Sequence, residues 1–223
     1  MSQAIGAIRP SDSTSHHQVE CIRGTTIMTT PISPEEQTDG RRQRSEASRE
    51  RIVRAMLDLV GSGDVSPSAE AVAERAGVGM RTVFRHFDNM ESLYHQINTV
   101  MTAEVRPMID RPFESRNWPA VLIELTERRS KLFERIMPFK TAADAHRHHS
   151  TFLAAQVSQM TREQRAALVR IIPTDRRDPL FLESLDLVLS FETWRRLRKE
   201  QKLSPARARQ VLEHFVNVLL KIG

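Results

Sequence analysis

The sequence predicts an all-α fold, on three observations. Apolar residues recur at three- and four-residue steps along most of the chain, no apolar/polar alternation outlasts a few residues, and the prolines fall between periodic runs rather than within turns of strands. Only 8 of 223 residues are glycine and aromatics make up 5%, while Ala, Leu, Arg and Glu dominate, a composition that favours helix. The length suffices for one large domain or two small ones with a real core. A net charge of +5 permits a nucleic-acid partner without demanding one. No apolar run approaches the roughly 20 residues that span a bilayer, and the opening MSQAIGAIRPSDSTSHHQ lacks the apolar centre of a signal peptide. The lone cysteine, Cys21, leaves no partner for an intrachain disulfide or a multi-cysteine zinc site, and a reducing cytoplasm is the simple reading.

Residues 1–40 are rich in Ser, Thr, Pro, Gln and Gly without a helical period, and are expected to form a disordered extension. Within it Met28 opens MTTPISPEE, a second place where the natural chain can begin, with Cys21 then outside it. From Ser45 the stripe Ile52, Val53, Met56, Leu57, Leu59 and Val60 predicts a first helix that stops at Gly61-Ser62-Gly63. Ser66-Pro67 reads as the cap and first position of a second helix reaching Ala76. FDNMESLYHQINTVMTAEV supplies another, capped at Asp88 or Asn89 and ending near Pro107. Further helices are expected at 118–136, 141–159, 162–171, 179–201 and 205–221. Thr161-x-x-Gln164 has the pattern of a capping box, and Asp178-Pro179 and Ser204-Pro205 mark two more starts.

Residues 71–87, AVAERAGVGMRTVFRHF, stop one helix at Gly-Val-Gly and restart another at once. Two short helices crossing steeply need small residues at the crossing, glycine at the turn and apolar residues to seal them. Ala73 and Ala76 fit the crossing, Gly77 the turn, and Val72, Val78 and Val83 the seals, with Phe87 adding to the packing. Met80, Arg81, Thr82, Phe84, Arg85 and His86 are left facing outward, a set suited to the major groove of DNA. Gly79 adds freedom at the helix entry, where amides favour a phosphate oxygen.

The run AEAVAERAGVGMRTVFRHFDNMESLYHQI resembles the helix-turn-helix of the TetR family of transcriptional regulators, with the likeness extending over residues 45 to 100. A weaker likeness covers LSFETWRRLRKEQKLSPARARQVLEHF, residues 189–215. The resemblance implies a three-helix DNA-binding domain at 41–104 and a helical effector-binding and dimerisation domain at 105–223. It also implies a phosphate contact for Ser68, a backbone or base contact for Thr82 and a DNA contact for His86. Phe84 stands where the family usually has a tyrosine, and Met90 where a lysine commonly opens the next helix, so two phosphate contacts are missing.

Compensation is offered upstream by RRQRSEASRERIVR, six arginines including Arg44 against Glu46 and Glu50, a net of +4. It reads either as a flexible basic arm reaching DNA or as a solvated linker and helix start. DPLFLESLDLVLSFETW and ARARQVLEHFVNVLLK are apolar around most of their circumference. That pattern fits an interface of two copies through Leu185, Val188, Leu189, Val211, Phe215 and Leu219, or helices central in their own domain. A homodimer would pair two reading heads over a pseudo-palindromic operator in double-stranded DNA. Phe133, Met137, Phe152, Phe191 and Trp194, with Phe139 and Met160 beside them, either line a pocket for a small apolar effector or are plain core. The run His146 to His149 lacks carboxylates or cysteines at metal-ligand spacing apart from Asp144, and neither a metal nor a cofactor is expected. RRLRK at 195–199 reads as a solvated helix end. With no nucleophile elbow, phosphate loop or paired-carboxylate motif, an enzyme is not expected. The two readings carried forward are a repressor released by an effector and a DNA-binding regulator without one.

Overall fold

The computed structural model describes residues 34–222, and the expected disordered extension, with Cys21 and Met28, falls outside them up to residue 33. Nine α-helices are seen among the described residues: α1 Pro34–Gly61, α2 Ala69–Ala76, α3 Met80–His86, α4 Met90–Asp110, α5 Trp118–His146, α6 Thr151–Ile171, α7 Pro179–Val188, α8 Phe191–Arg195 and α9 Pro205–Ile222. No strand occurs among those residues, in keeping with the all-α reading. From Gly40 onward they pack as one unit.

Several helix ends sit where short-range chemistry puts them. Asn89 opens α4 by accepting from the Ser92 amide at 2.9 Å, and Asp178 opens α7 by accepting from Phe181 at 3.0 Å. Ser204 caps α9 through the Arg207 amide at 3.2 Å. The cap of α2 is Ser68 rather than Ser66: the Ser68 hydroxyl takes the Ala71 amide at 3.1 Å, three residues on.

Other boundaries differ from the expected ones. α1 begins at Pro34, well ahead of Ser45, so Arg41, Arg42 and Arg44 stand on a helix and not on a flexible arm. α4 runs past Pro107 to Asp110, and α5 runs through Pro138 without a break. Proline removes one helical hydrogen bond, but Phe133, Met137 and Ala142 on either side of Pro138 are buried and hold the helix in one piece. α6 starts at Ser150, whose hydroxyl caps the Leu153 amide, and passes through Thr161. Instead of capping, Thr161 donates back to the Val157 carbonyl at 3.2 Å. The expected helix 179–201 is three pieces: α7, then α8 capped by Ser190, then one π-helical turn at Arg196–Glu200.

Three apolar clusters form the interior. The first joins α1 through α4, with Ile52, Met56, Val72, Val83 and Leu93 at its centre, and takes in Ala142 of α5 and Leu153 of α6. The second packs Leu122 and Leu168 against Leu185, Leu189 and Val216. The third gathers Phe133, Met137, Phe191, Trp194, Leu197 and Leu212.

Buried polar groups tie the bundle together. Arg129 of α5 donates to the Leu189 carbonyl at the α7–α8 break (2.9 Å) and to the Gln164 carbonyl of α6 (2.6 Å). Burial lowers its pKa to about 10, so it stays cationic at neutral pH. Glu134 accepts from Trp194 Nε1 at 2.9 Å and from Arg198 Nε at 2.7 Å. Arg198 is therefore a structural clasp and not part of a solvated helix end, although Arg195, Arg196 and Lys199 are exposed.

Candidate nucleic-acid interface

α2 and α3 are too short to persist as isolated helices, since nucleation makes anything under about 12 residues marginal in water. Their turn is set locally. Gly77 adopts φ 63° and ψ 40°, the left-handed region; its amide donates to the Glu74 carbonyl at 3.1 Å and the Val78 amide to Ala73 at 3.0 Å. This pair of bonds is the Schellman closure of a helix, and only glycine enters it without a Cβ penalty. Gly79 has ordinary φ, and a Cβ there would meet nothing within 4 Å, so the fold itself does not demand glycine at that position.

The crossing is sealed as expected by Val72, Ala73, Ala76 and Val83, with Phe87 buried behind α3 and Val78 partly so. Arg49 of α1 fastens the base of the unit: it donates to Gln96 of α4 at 2.8 Å and lies 5.2 Å over the Phe87 ring. One arginine of the basic run is thus committed to structure, and Arg44, Arg51 and Arg54 are exposed.

With Val83 and Phe87 turned inward, α3 presents Met80, Arg81, Phe84 and Arg85 to solvent, with Thr82 half-buried beside them. Gly79 and Ser68 are exposed at the entries of α3 and α2. His86 differs from its neighbours, because its Nε2 is buried and without a partner. Burial and the adjacent cations Arg85 and Arg49 lower its pKa, so the ring is neutral at physiological pH and adds no third charge to the face.

The other residues singled out in the sequence divide between places. Phe133, Met137, Phe191 and Trp194 come together in the third cluster, with Phe133 edge-on to Phe191 at 5.6 Å, whereas Phe152 packs on His95 at 4.0 Å near the reading head. Leu185 and Leu189 are sealed in their own subunit's core and have no surface to offer a partner. Val188, Val211 and Leu219 are partly buried, and Phe215 is exposed. The exposed apolar side chains on α7 and α9 are Leu180, Leu187, Phe215, Val218 and Ile222. His146 packs on Tyr94 with ring centroids 4.7 Å apart, while His148 and His149 are exposed. Among the described residues no three His, Cys, Asp or Glu side chains converge on a metal-sized site, and no helix is long and apolar enough to cross a membrane.

Sequence reasoning missed an open cleft of about 1430 Å³ where α1, α4 and α5 diverge. Val53, Leu57, Met101 and Phe139 are among its apolar lining, and Glu50, Arg54, Glu104 and Arg135 among its charged lining. Phe139 is one of the bulky apolar residues that the sequence offers either for a pocket or for the core. The others carried no signal, because the amphipathic stripes of α1 and α4 do not say that the helices splay apart.

An exposed short helix bearing two arginines, held by a tight glycine turn against a partner helix that buries Val72, Ala73 and Ala76, defines a helix-turn-helix protein. Residues 66–97 match the family model for bacterial regulatory proteins of the tetR family. No curated protein matches the sequence. Among solved structures, the chain is similar to a transcriptional regulator from Rhodococcus sp. Rha1, with a TM-score of 0.61 and 17% identity over 78% of this chain and 96% of that one. It is also similar to a protein from Mesorhizobium loti described as a TetR-family transcriptional regulator, with a TM-score of 0.53 and 17% identity over 80% of this chain and 98% of that one. At that identity the two structures establish the fold. The match gives residues 66–97 the helix-turn-helix of the tetR family, and the solved structures extend the likeness of fold to most of the chain.

Proposed function

We propose that the chain is a homodimeric repressor that binds a pseudo-palindromic operator in double-stranded DNA and leaves it when a small apolar effector binds. The observation that carries this reading is the outward face of α3, where Arg81 and Arg85 stand exposed beside Met80 and Phe84 while the inward face is closed. Arginine is the side chain best shaped to take guanine O6 and N7 together. In this reading 41–104 is the reading head, with Arg44 and Ser68 on the phosphates, and 105–223 senses and dimerises.

The dimer is supported by Leu180, Leu187, Phe215 and Ile222, which are 50–79% exposed on α7 and α9. Val211 and Leu219 would add to that contact from α9. Two reading heads would then meet successive major grooves about 34 Å apart. The effector is supported by the position of the α1–α4–α5 cleft. It touches two helices of the reading head and borders the Phe133–Trp194 cluster through Glu134. A coupling of about 1–3 kcal/mol would weaken operator binding roughly 5- to 150-fold.

The test is selection of random-sequence DNA by the full chain at physiological salt. A half-site repeated in inverted orientation is expected; enrichment of nothing over competitor would end the proposal. The second reading, a regulator with no effector, is favoured by the close packing of Phe133, Phe191 and Trp194, which are at most 1% exposed. Thermal melting in the presence of apolar compounds separates the two, since a ligand of the folded state must raise the melting temperature.

A further inference from the structure

The face of α3 is not only cationic. Met80 is 40% exposed and Phe84 is 46% exposed, and the two sit one turn apart on the same side of the helix. Single exposed apolar residues are ordinary on a protein surface. A methionine and a phenylalanine stacked on a seven-residue helix whose other face is fully used, with Arg81 and Arg85 beside them, are a designed surface that meets something apolar. Phenylalanine has no donor or acceptor, so it can neither hold a phosphate nor read a hydrogen-bonding edge. In the major groove of B-form DNA the apolar group on the base edges is the 5-methyl of thymine.

We propose that Met80 and Phe84 read thymine 5-methyl groups, so that each operator half-site carries a thymine next to the guanine positions taken by Arg81 and Arg85. The inference rests on the DNA-binding reading above and adds what the apolar half of the face selects. Guanidinium groups alone would leave A·T and T·A pairs beside them undistinguished. The methyl lies on the thymine side of the pair, so an apolar patch of fixed position distinguishes the two orientations.

The experiment starts from the DNA selected by the full chain. Each thymine of a half-site is replaced singly by deoxyuridine, which removes the methyl and leaves every hydrogen-bonding group in place. Binding is expected to weaken about fourfold at one or two positions per half-site, the effect of one buried methyl group. Phe84→Ala and Met80→Ala are expected to bind the thymine site more weakly and to lose the difference between thymine and deoxyuridine. Both side chains are exposed, so melting temperatures should stay close to that of the parent chain and report that the fold is intact. Equal affinity for every deoxyuridine site overturns the inference while the DNA-binding reading stands. So does a deoxyuridine effect that persists undiminished in both variants. If no sequence is enriched at all, the DNA-binding reading fails and the inference falls with it.

Discussion

The reading head and the α5–α9 bundle are held together by different means. In the head, α2 and α3 have 8 and 7 residues, and their ends are set by groups only a few residues away: Ser68 on Ala71, Gly77 in its left-handed turn, Asn89 on Ser92. In the bundle, α5 is 29 residues long with Pro138 inside it, and the decisive bonds join residues about 35 to 64 apart in sequence. Arg129 stitches α6 and the α7–α8 break to α5, and Glu134 receives both Trp194 and Arg198. Local chemistry shapes the part that must present a precise surface. Burial and long-range polar bonds shape the part built around α5.

The contrast can be broken most sharply at Arg129. Arg129→Ala leaves the Leu189 and Gln164 carbonyls short of their charged donor inside the core, and should lower stability by roughly 2–4 kcal/mol in denaturant unfolding. An unchanged midpoint would mean that the long-range bonds are incidental to the bundle. In the head, Gly77→Ala forces a Cβ into the left-handed region and should remove about 1–2 kcal/mol. Gly79→Ala, at an ordinary φ with open space around it, should remove less. Equal losses at the two glycines would contradict a turn set by Gly77 alone.

The smallest effect concerns the loop between α4 and α5. There Glu124 accepts from the Ser115 and Glu114 amides and pairs with Arg128, which also reaches the Arg111 and Pro112 carbonyls. The Ser115 amide first, with the other donors, holds the Glu124 carboxyl down at about 2 against an ordinary 4.5. A depressed carboxylate gives stability that is complete above pH 4.5 and is lost as pH falls through about 2. Carbon NMR of the Glu124 carboxyl should show no titration between pH 6 and 3.5, and a midpoint near 4.5 would dissolve this clasp. Glu124→Gln should loosen the 111–117 loop in hydrogen exchange with little change elsewhere.

The legible and illegible features follow the same line. Val72, Ala73, Ala76 and Val83 are buried as their spacing indicates, and Met80, Arg81, Phe84 and Arg85 face outward. The starts at Asn89, Asp178 and Ser204 were readable too, because a cap needs only a polar side chain and an amide three residues on. Ser66-Pro67 carries the pattern of a cap followed by proline, yet the hydroxyl that meets the first turn of α2 is that of Ser68. Sequence periodicity placed Leu185 and Leu189 in an apolar helix but could not say that they face inward while Leu180 and Leu187 face out.

By itself, the sequence determined the helix-turn-helix: its glycine turn depends on neighbours within about one helical turn, and the spacing of its apolar residues marks which side is sealed and which carries the arginines. Tertiary structure decided that α5 continues through Pro138 and that a cleft opens between α1, α4 and α5. The physical reason is range. A hydrogen bond to a nearby amide can be read from spacing. Whether a lost helical bond is offset, or a surface is covered, depends on side chains that only folding brings near.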